Sequence, residues 1–367
     1  MSYKIDNTDA LITPSLVFYE DVIDRNIERA LKDVGDVNLL WPHVKTHKTM
    51  ELVSKLIARG VTKFKCATIA ECEMVALAGA SQILLAYPAV GPALDRFLNI
   101  KNAFPKVKWY ALFDSMESLK RMSHKAMALN THVDYFIDVN VGLNRTGVEA
   151  SKVVAFAKEA LALPNLNLVG LHCYDGHNGI SDVNERMQAI SKLVDLENNL
   201  VAELKKLGVE AMVISGGTPE FPCYRKLSNF YVSPGTMFLQ DNGYANAFKD
   251  MGYECAACVM TRVISHPNAE NFTLDCGTKA IASDPLVRGV IAGLEDKVEI
   301  VLQNEEHWVF RMKKGFEHLK PQVGDVVYVI PTHICPTSAL YPYALVVKEH
   351  KVVGSWQIFA RNRKVIF

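Results

Sequence analysis

Net charge of either sign is missing from this 367-residue chain: 40 acidic residues balance 40 lysines and arginines, and no long block of like charge disturbs the balance. That removes the electrostatic basis for binding nucleic acid or an anionic membrane surface and points to a small-molecule partner. No apolar run is long enough to span a bilayer, and Met1-Ser2-Tyr3-Lys4-Ile5-Asp6-Asn7 lacks the continuous apolar core of a secretory leader, so a cytoplasmic location is expected. Eight cysteines are scattered without a regular framework, which excludes a disulfide scaffold and reads as reduced thiols. Low-complexity linkers and internal repeats are also lacking.

What is present is the texture of an ordinary globular protein, 49% hydrophobic and 22% charged, large enough for a barrel and a smaller domain. From about residue 38 to about residue 235, short apolar runs alternate with longer amphipathic stretches, the pattern of repeated βα units. About eight such runs can be marked: 38–44, 63–68, 82–87, 108–113, 133–139, 168–174, 211–215 and 229–232. Helices are expected between them, for example over 70–78 and 183–207. This predicts an α/β fold, a (β/α)₈ TIM barrel over residues 19–240, rather than an open doubly wound sheet. After about residue 250, strand-like runs at 258–265, 271–275, 298–302, 307–312, 326–330 and 345–347, joined by Gly/Asp/Asn turns, predict an all-β domain of residues 241–367, to which the N-terminal residues 1–18 add.

Chemistry-capable residues collect at the ends of the predicted barrel strands, where such a barrel builds its site. Lys45, Thr68, Tyr87, Asp114, Asn140 with Arg145, Tyr174, Gly216-Gly217 and Pro234-Gly235 all fall there. In Trp41-Pro42-His43-Val44-Lys45-Thr46-His47-Lys48 a lysine at a strand mouth is flanked by two imidazoles, the setting of a Schiff-base lysine. Lys48 is its rival, and strand geometry favours Lys45. Lys48 and Lys65 read as solvated, and His43 and His47 as packing around Lys45.

Ser215-Gly216-Gly217-Thr218 follows the seventh run and Ser233-Pro234-Gly235-Thr236 the eighth. Glycines there let backbone N–H groups approach an anion, and barrels often bind phosphate at that place; tight turns needing φ > 0 are the plain alternative. A phosphate cup facing a strand-one lysine describes a pyridoxal 5'-phosphate site. Arg145, in Asn140-Val141-Gly142-Leu143-Asn144-Arg145-Thr146-Gly147, would hydrogen-bond the cofactor's phenolic oxygen, unless it is a surface arginine in a glycine-rich loop. Tyr174 would pack on the cofactor ring or belong to the core.

Pro331-Thr332-His333-Ile334-Cys335-Pro336-Thr337 places imidazole and thiol two residues apart. On an extended backbone they share a face and can bind one cation, zinc suiting the mixed pair best with manganese or magnesium as alternatives; a packed histidine beside a buried cysteine is the other reading. Cys255-Ala256-Ala257-Cys258 has the spacing of a redox or zinc motif but lacks a second pair and enters a strand-like run.

Taken together, His43-Val44-Lys45-Thr46-His47-Lys48, Leu84-Leu85-Ala86-Tyr87-Pro88, Ser215-Gly216-Gly217-Thr218, Leu274-Asp275-Cys276-Gly277 and His333-Ile334-Cys335-Pro336-Thr337 resemble the D-threonine aldolase and D-serine dehydratase family over nearly the whole chain. The resemblance implies an alanine racemase-like plan, a fold-type III pyridoxal phosphate barrel followed by a β-domain, and a homodimer with active sites near the subunit interface. It implies Lys45 as the cofactor lysine and His333 with Cys335 as the metal pair, cysteine at the second position being the dehydratase variant. Trp41 stands where the family generally has arginine, and Tyr174-Asp175-Gly176-His177 differs from the usual aldolase residues.

The expected activity is therefore that of a pyridoxal phosphate- and metal-dependent lyase on D-β-hydroxy amino acids, either retro-aldol cleavage to glycine and an aldehyde or dehydration to an oxo acid and ammonia, with Cys335 favouring the second. An amino-acid racemase is the nearest rival; it needs a second base but no metal. A noncatalytic pyridoxal phosphate carrier is the rival of another class, and the C-terminal extension with its histidine–cysteine pair distinguishes the two.

Overall fold

The computed structural model describes residues 3–367 and separates into two units. One comprises Leu31–Lys45, Thr49–Gly235 and Asn362–Phe367; the other comprises residues 3–30, Thr46–Lys48 and Thr236–Arg361. The division in the middle of the chain lies at Gly235–Thr236, where residues 240–241 were expected.

Strand β1 (Ser15–Tyr19) belongs to the second unit. The next strands, β2 (Lys63–Cys66), β3 (Gln82–Leu85), β4 (Lys108–Phe113), β5 (Val133–Asn140), β6 (Val148–Glu149), β7 (Leu166–Cys173), β8 (Met212–Ser215) and β9 (Tyr231–Val232), form a parallel sheet in the order β2-β3-β4-β5-β7-β8-β9, with β6 against β5. Helices cross between them and start at capping residues: Thr68 Oγ1 accepts from the Glu71 N–H before helix Ile69–Leu77, and Asp182 accepts from Asn184 and Glu185 before helix Val183–Lys206.

The outer edges of this sheet, β9 and β2, are joined through residues 40–43. Leu40 bridges Val232 and His43 bridges Lys65, while the Trp41 N–H donates to Val232 O at 2.8 Å and the Lys65 N–H to Pro42 O at 2.9 Å. The sheet closes, and the α/β barrel read from the alternating pattern is present. Its expected first strand, residues 38–44, is broken: Pro42 has no N–H to give a ladder, and 3₁₀ turns at Val37–Leu39 and Val44–Thr46 take up its ends.

Side chains inside this barrel form two levels. Trp41, Leu84, Tyr110, Leu112, Phe136 and Ile214 make a buried apolar cluster, with Tyr231 packed against it. The indole of Trp41 meets Tyr110, Tyr231 and Phe136 edge-on at 5.4, 5.6 and 6.1 Å between centroids. Successive inward side chains on a strand are two residues apart. One step beyond Phe136 on β5 therefore stands Asp138, and one step beyond Tyr231 stands Ser233; both are buried. The apolar level gives way to a polar one toward the strands' C-terminal ends.

In the second unit β1 pairs antiparallel with β10 (Ala257–Ser265), which pairs with β11 (Asn271–Leu274) and, on the other side of its length, with a later strand. The remaining strands are β12 (Gly289–Ile291), β13 (Val298–Gln303), β14 (Trp308–Met312), β15 (Val326–Pro331), β16 (Tyr343–Lys348) and β17 (Lys351–Gln357). The mixed sheet runs β13-β14-β11-β10-β1-β16-β17, with β15 joining β10 to β12; β1 and β16 are its parallel pair. Val259, Phe272, Trp308, Phe310 and Val329 fill its core. Strands β12 and β17 lie outside the runs marked from the sequence. Among the described residues no helix is long and apolar enough to cross a membrane, and no disulfide joins the eight cysteines.

Candidate active site

In the barrel unit, three basic side chains gather at one aromatic ring. Arg145 Cζ lies 4.8 Å from the centroid of Tyr174, Lys65 Nζ 5.6 Å and Lys45 Nζ 5.9 Å. Lys45 enters from the Val44–Thr46 turn, where its N–H donates to His43 Nδ1 at 3.3 Å. Arg145 is presented by a loop that Asn140 folds: its Oδ1 accepts from the Gly142 and Asn144 N–H groups, and Asn144 adopts φ 56°, a left-handed conformation asparagine tolerates. Asp114 Oδ2 then accepts from the Gly147 N–H at 2.9 Å and fastens the loop's far end. The structure thus brings Lys45, Arg145 and Tyr174 to one place.

Lys65 is the departure. Read from the sequence as solvated, it is 3% exposed, because β2 carries it in the inward register at the barrel's polar level. Its amine donates to Ser233 Oγ in a short hydrogen bond and contacts His172 Nε2 at 3.4 Å. His172 Nδ1 lies 2.8 Å from Asp138 Oδ1, whose other oxygen accepts from Thr146 Oγ1 at 2.7 Å. A carboxylate only accepts, so Nδ1 carries the proton and Nε2 is left to accept from Lys65. Burial first, and then the neighbouring Lys45, bring the Lys65 amine down to about 7. Burial and Lys65 likewise lower His172, against the pull of Asp138.

The loops after β8 and β9 are tightly built. Gly216 has φ 71°, and a Cβ on Gly217 would lie 2.9 Å from Glu220 Oε2 and 3.2 Å from Tyr174 Cε2. A Cβ on Gly235 would overlap the carbonyl of His43, and the Gly235 N–H donates to Thr218 Oγ1 at 3.2 Å. Behind these loops lie three buried carboxyls, Asp175, Glu197 and Glu220. Glu197 Oε1 accepts from Ser215 Oγ at 2.7 Å and Tyr224 Oη at 3.3 Å, yet burial pushes its pKa up to about 8. Burial raises Asp175 and Glu220 as well, and Asp175 raises both Glu220 and Glu197 further by like charge. The donor set at the mouth, Lys45, Lys65 and Arg145 about one aromatic ring beside backbone bared by glycine, fits an anionic, phosphorylated aromatic ligand.

In the β unit, His333 is extended but Cys335 is helical, so the two do not share one face of a strand as their i, i+2 spacing suggested. Strand β15 ends at Pro331, His333 is the N-cap, and Cys335 sits in the first turn of helix Ile334–Leu340. The helix starts there because Asp241 Oδ2 accepts the Ile334 N–H at 3.0 Å, and Pro336 occupies a first-turn position whose missing N–H costs nothing. The pair still meets: the hydrogen bond to Cys335 first, then that to Asp284, outweigh burial and raise His333 to about 9. Asp284 Oδ2 is 2.5 Å from His333 Nδ1, and Cys335 Sγ lies 3.2 Å from Thr46 Oγ1 and 3.7 Å from Thr236 Oγ1. Among the described residues no group of three or more His, Cys, Asp or Glu side chains forms a ready metal cage. The pair itself, an imidazole oriented by a carboxylate beside a thiol, has the donor chemistry of a soft divalent ion with open positions.

Lys65, Asp138, His172 and Asp284 were not marked as site residues from the sequence. Three of them carried a usable signal: a charged or imidazole side chain inside a buried strand run, as in Phe64-Lys65-Cys66, Ile137-Asp138-Val139 and Leu171-His172-Cys173. Cys255 and Cys258 are not such a site; burial raises the first to about 12 and the second further, which leaves inert thiols.

Residues 20–242 match the family model described as alanine racemase, N-terminal domain, and residues 256–347 the model described as putative serine dehydratase domain. The D-threonine aldolase of Arthrobacter sp is 27% identical over 361 residues, 95% of this chain and 93% of that protein. The D-threo-3-hydroxyaspartate dehydratase of Delftia sp. (strain HT23) is 23% identical over 375 residues, 96% and 98% of the two. The crystal structure of D-threonine aldolase from Filomicrobium marinum has the same fold, with a TM-score of 0.88 over 98% of both chains at 23% identity.

Proposed function

The chain belongs to the alanine racemase N-terminal domain family and continues into a domain of the serine dehydratase type, and from that premise we propose that it is a pyridoxal phosphate- and metal-dependent lyase acting on D-β-hydroxy amino acids. The observation that carries this reading is the gathering of Lys45 and Arg145 around Tyr174 at the barrel mouth. Lys45 would anchor the cofactor covalently through Nζ, and Arg145 would donate to its phenolic oxygen. Tyr174 would flank its ring, while Gly216, Gly217, Thr218, Gly235 and Thr236 would receive its phosphate. His333 and Cys335 would hold the divalent ion, with Asp284 fixing the imidazole through Nδ1. When bound, the cofactor supplies an electron sink and the cation a Lewis acid for the substrate's β-oxygen.

The chain's own residues then divide the chemistry. In a dehydration Lys45 Nζ would be the group that takes the substrate's α-proton, with the hydroxyl lost from the β-carbon as water. In a retro-aldol cleavage a base takes the hydroxyl proton instead and the Cα–Cβ bond breaks. Cys335 in place of a carboxylate favours dehydration, following the resemblance of that motif to the dehydratase variant.

The test is an assay of the purified protein on D-threonine, D-serine and 3-hydroxy-D-aspartate, scored for oxo acid plus ammonia against aldehyde plus glycine. Dehydration is expected, with loss of turnover after chelation. Wild-type protein should show a near-visible cofactor band that Lys45→Ala lacks; a band that survives in Lys45→Ala removes Lys45 from its role, and absence of the band in wild type removes the cofactor.

A further inference from the structure

Lys65 lies outside the roles assigned above, yet it shares the Tyr174 ring with Lys45 and Arg145. A buried ammonium is costly without a compensating anion, and a buried lysine sheds its proton instead. The groups facing its amine are Ser233 and His172 at hydrogen-bond range, with Lys45, Arg145, Asp138 and Asp175 contributing charge. Asp138 is already engaged by His172 and Thr146, and burial raises Asp175 to about 7, so that it ionises over the same range as the amine. Lys45 and Arg145 therefore oppose a third positive charge, and Asp138 and Asp175 offset them only in part, since burial and Lys45 outweigh both carboxyls.

We infer that Lys65 is a positioning residue of the cofactor pocket that takes up a proton when a phosphorylated pyridine ligand enters, so that ligand binding and protonation of this amine are one linked event. The inference rests on the cofactor reading above. The proton comes from solvent to the Nζ lone pair; no other bond forms or breaks. As an ammonium, Lys65 donates to His172 Nε2 and Ser233 Oγ and turns its charge toward the incoming anion. Its amine stands near 7 without that anion, which places the linkage in the neutral to mildly alkaline range.

The experiment is calorimetric titration of cofactor-stripped full-length protein with pyridoxine 5'-phosphate, which has the ring and phosphate but no aldehyde and so leaves Lys45 out of covalent chemistry. Paired buffers of different ionisation enthalpy, at about pH 7 to 9, report protons taken up per ligand bound. Wild type is expected to lose affinity with rising pH, approaching about tenfold per pH unit, and to take up a large fraction of one proton near pH 8. Lys65→Met should bind weakly, with that uptake gone. Lys65→Arg, permanently charged, should bind well at alkaline pH without the uptake and shows that loss in the methionine variant is not misfolding. The inference is overturned if Lys65→Met keeps the wild-type proton uptake, or if wild type binds with no more uptake than the variants. If wild type binds neither pyridoxine 5'-phosphate nor pyridoxal 5'-phosphate, the cofactor reading itself has failed.

Discussion

Asp284 grips His333: its Oδ2 lies 2.5 Å from the imidazole Nδ1, across the turn that leads into helix Ile334–Leu340. A carboxylate in that position fixes both the tautomer and the ring orientation of a ligating histidine. Asp284→Asn should therefore weaken divalent-metal affinity by about 10- to 100-fold with the fold intact. Competition with a chromophoric chelator measures it; unchanged affinity would detach Asp284 from the proposed metal pair.

Trp41 anchors the apolar level of the barrel. Fully buried and in edge contact with three aromatic rings, it should cost about 3–5 kcal/mol when cut to alanine and much less when changed to phenylalanine. Urea unfolding followed by fluorescence of the remaining tryptophans gives both values, and a Trp41→Ala cost under about 1 kcal/mol would contradict the packing described.

Glu197 makes stability depend on pH in a fixed direction. Its carboxyl stands near 8 in the fold against an ordinary 4.5. Below 4.5 both folded and unfolded chains hold the proton; between 4.5 and 8 only the folded chain does, so stability falls as pH rises through that window and levels off above it. Glu197→Gln keeps the acceptor for Ser215 and Tyr224 and cannot ionise. Its urea midpoint should decline less than wild type's from acid to pH 8, and parallel declines would remove Glu197 as a source of the slope.

Gly235→Ala tests the loop after β9. The added methyl would overlap the His43 carbonyl, a backbone atom that cannot swing aside. A drop of several degrees in Tm is expected, together with weaker phosphate binding, whereas Gly217→Ala meets only side-chain atoms and should be milder.

Much of this architecture is legible in the chain. Alternation of apolar runs with amphipathic stretches announces the barrel, and helix Val183–Lys206 ends within a residue of where its periodicity stops. Lys45 and Tyr174 stand at the ends of apolar runs and Arg145 in the loop after one, which is what marks them as candidates in the sequence. What escapes is whatever depends on register or on a local hydrogen bond. Lys65 looks like any lysine until closure of the barrel turns it inward, and His333–Cys335 looks like strand because the acceptor of the helix's first N–H, Asp241, is 93 residues before Ile334. Trp41 is informative only once Tyr110, Phe136 and Tyr231 are known to meet it.

The seam of the barrel has a mechanical meaning. Residues 40–43 fasten β9 to β2 by isolated bridges, so the stretch that delivers Lys45 is stitched lightly by its backbone and wedged in place by one indole. Deuterium should enter the amides of Trp41 and His43 sooner than those in the middle of β5, and sooner still when the wedge is pared down. A protein built this way can let Lys45 breathe without unzipping the staves on either side.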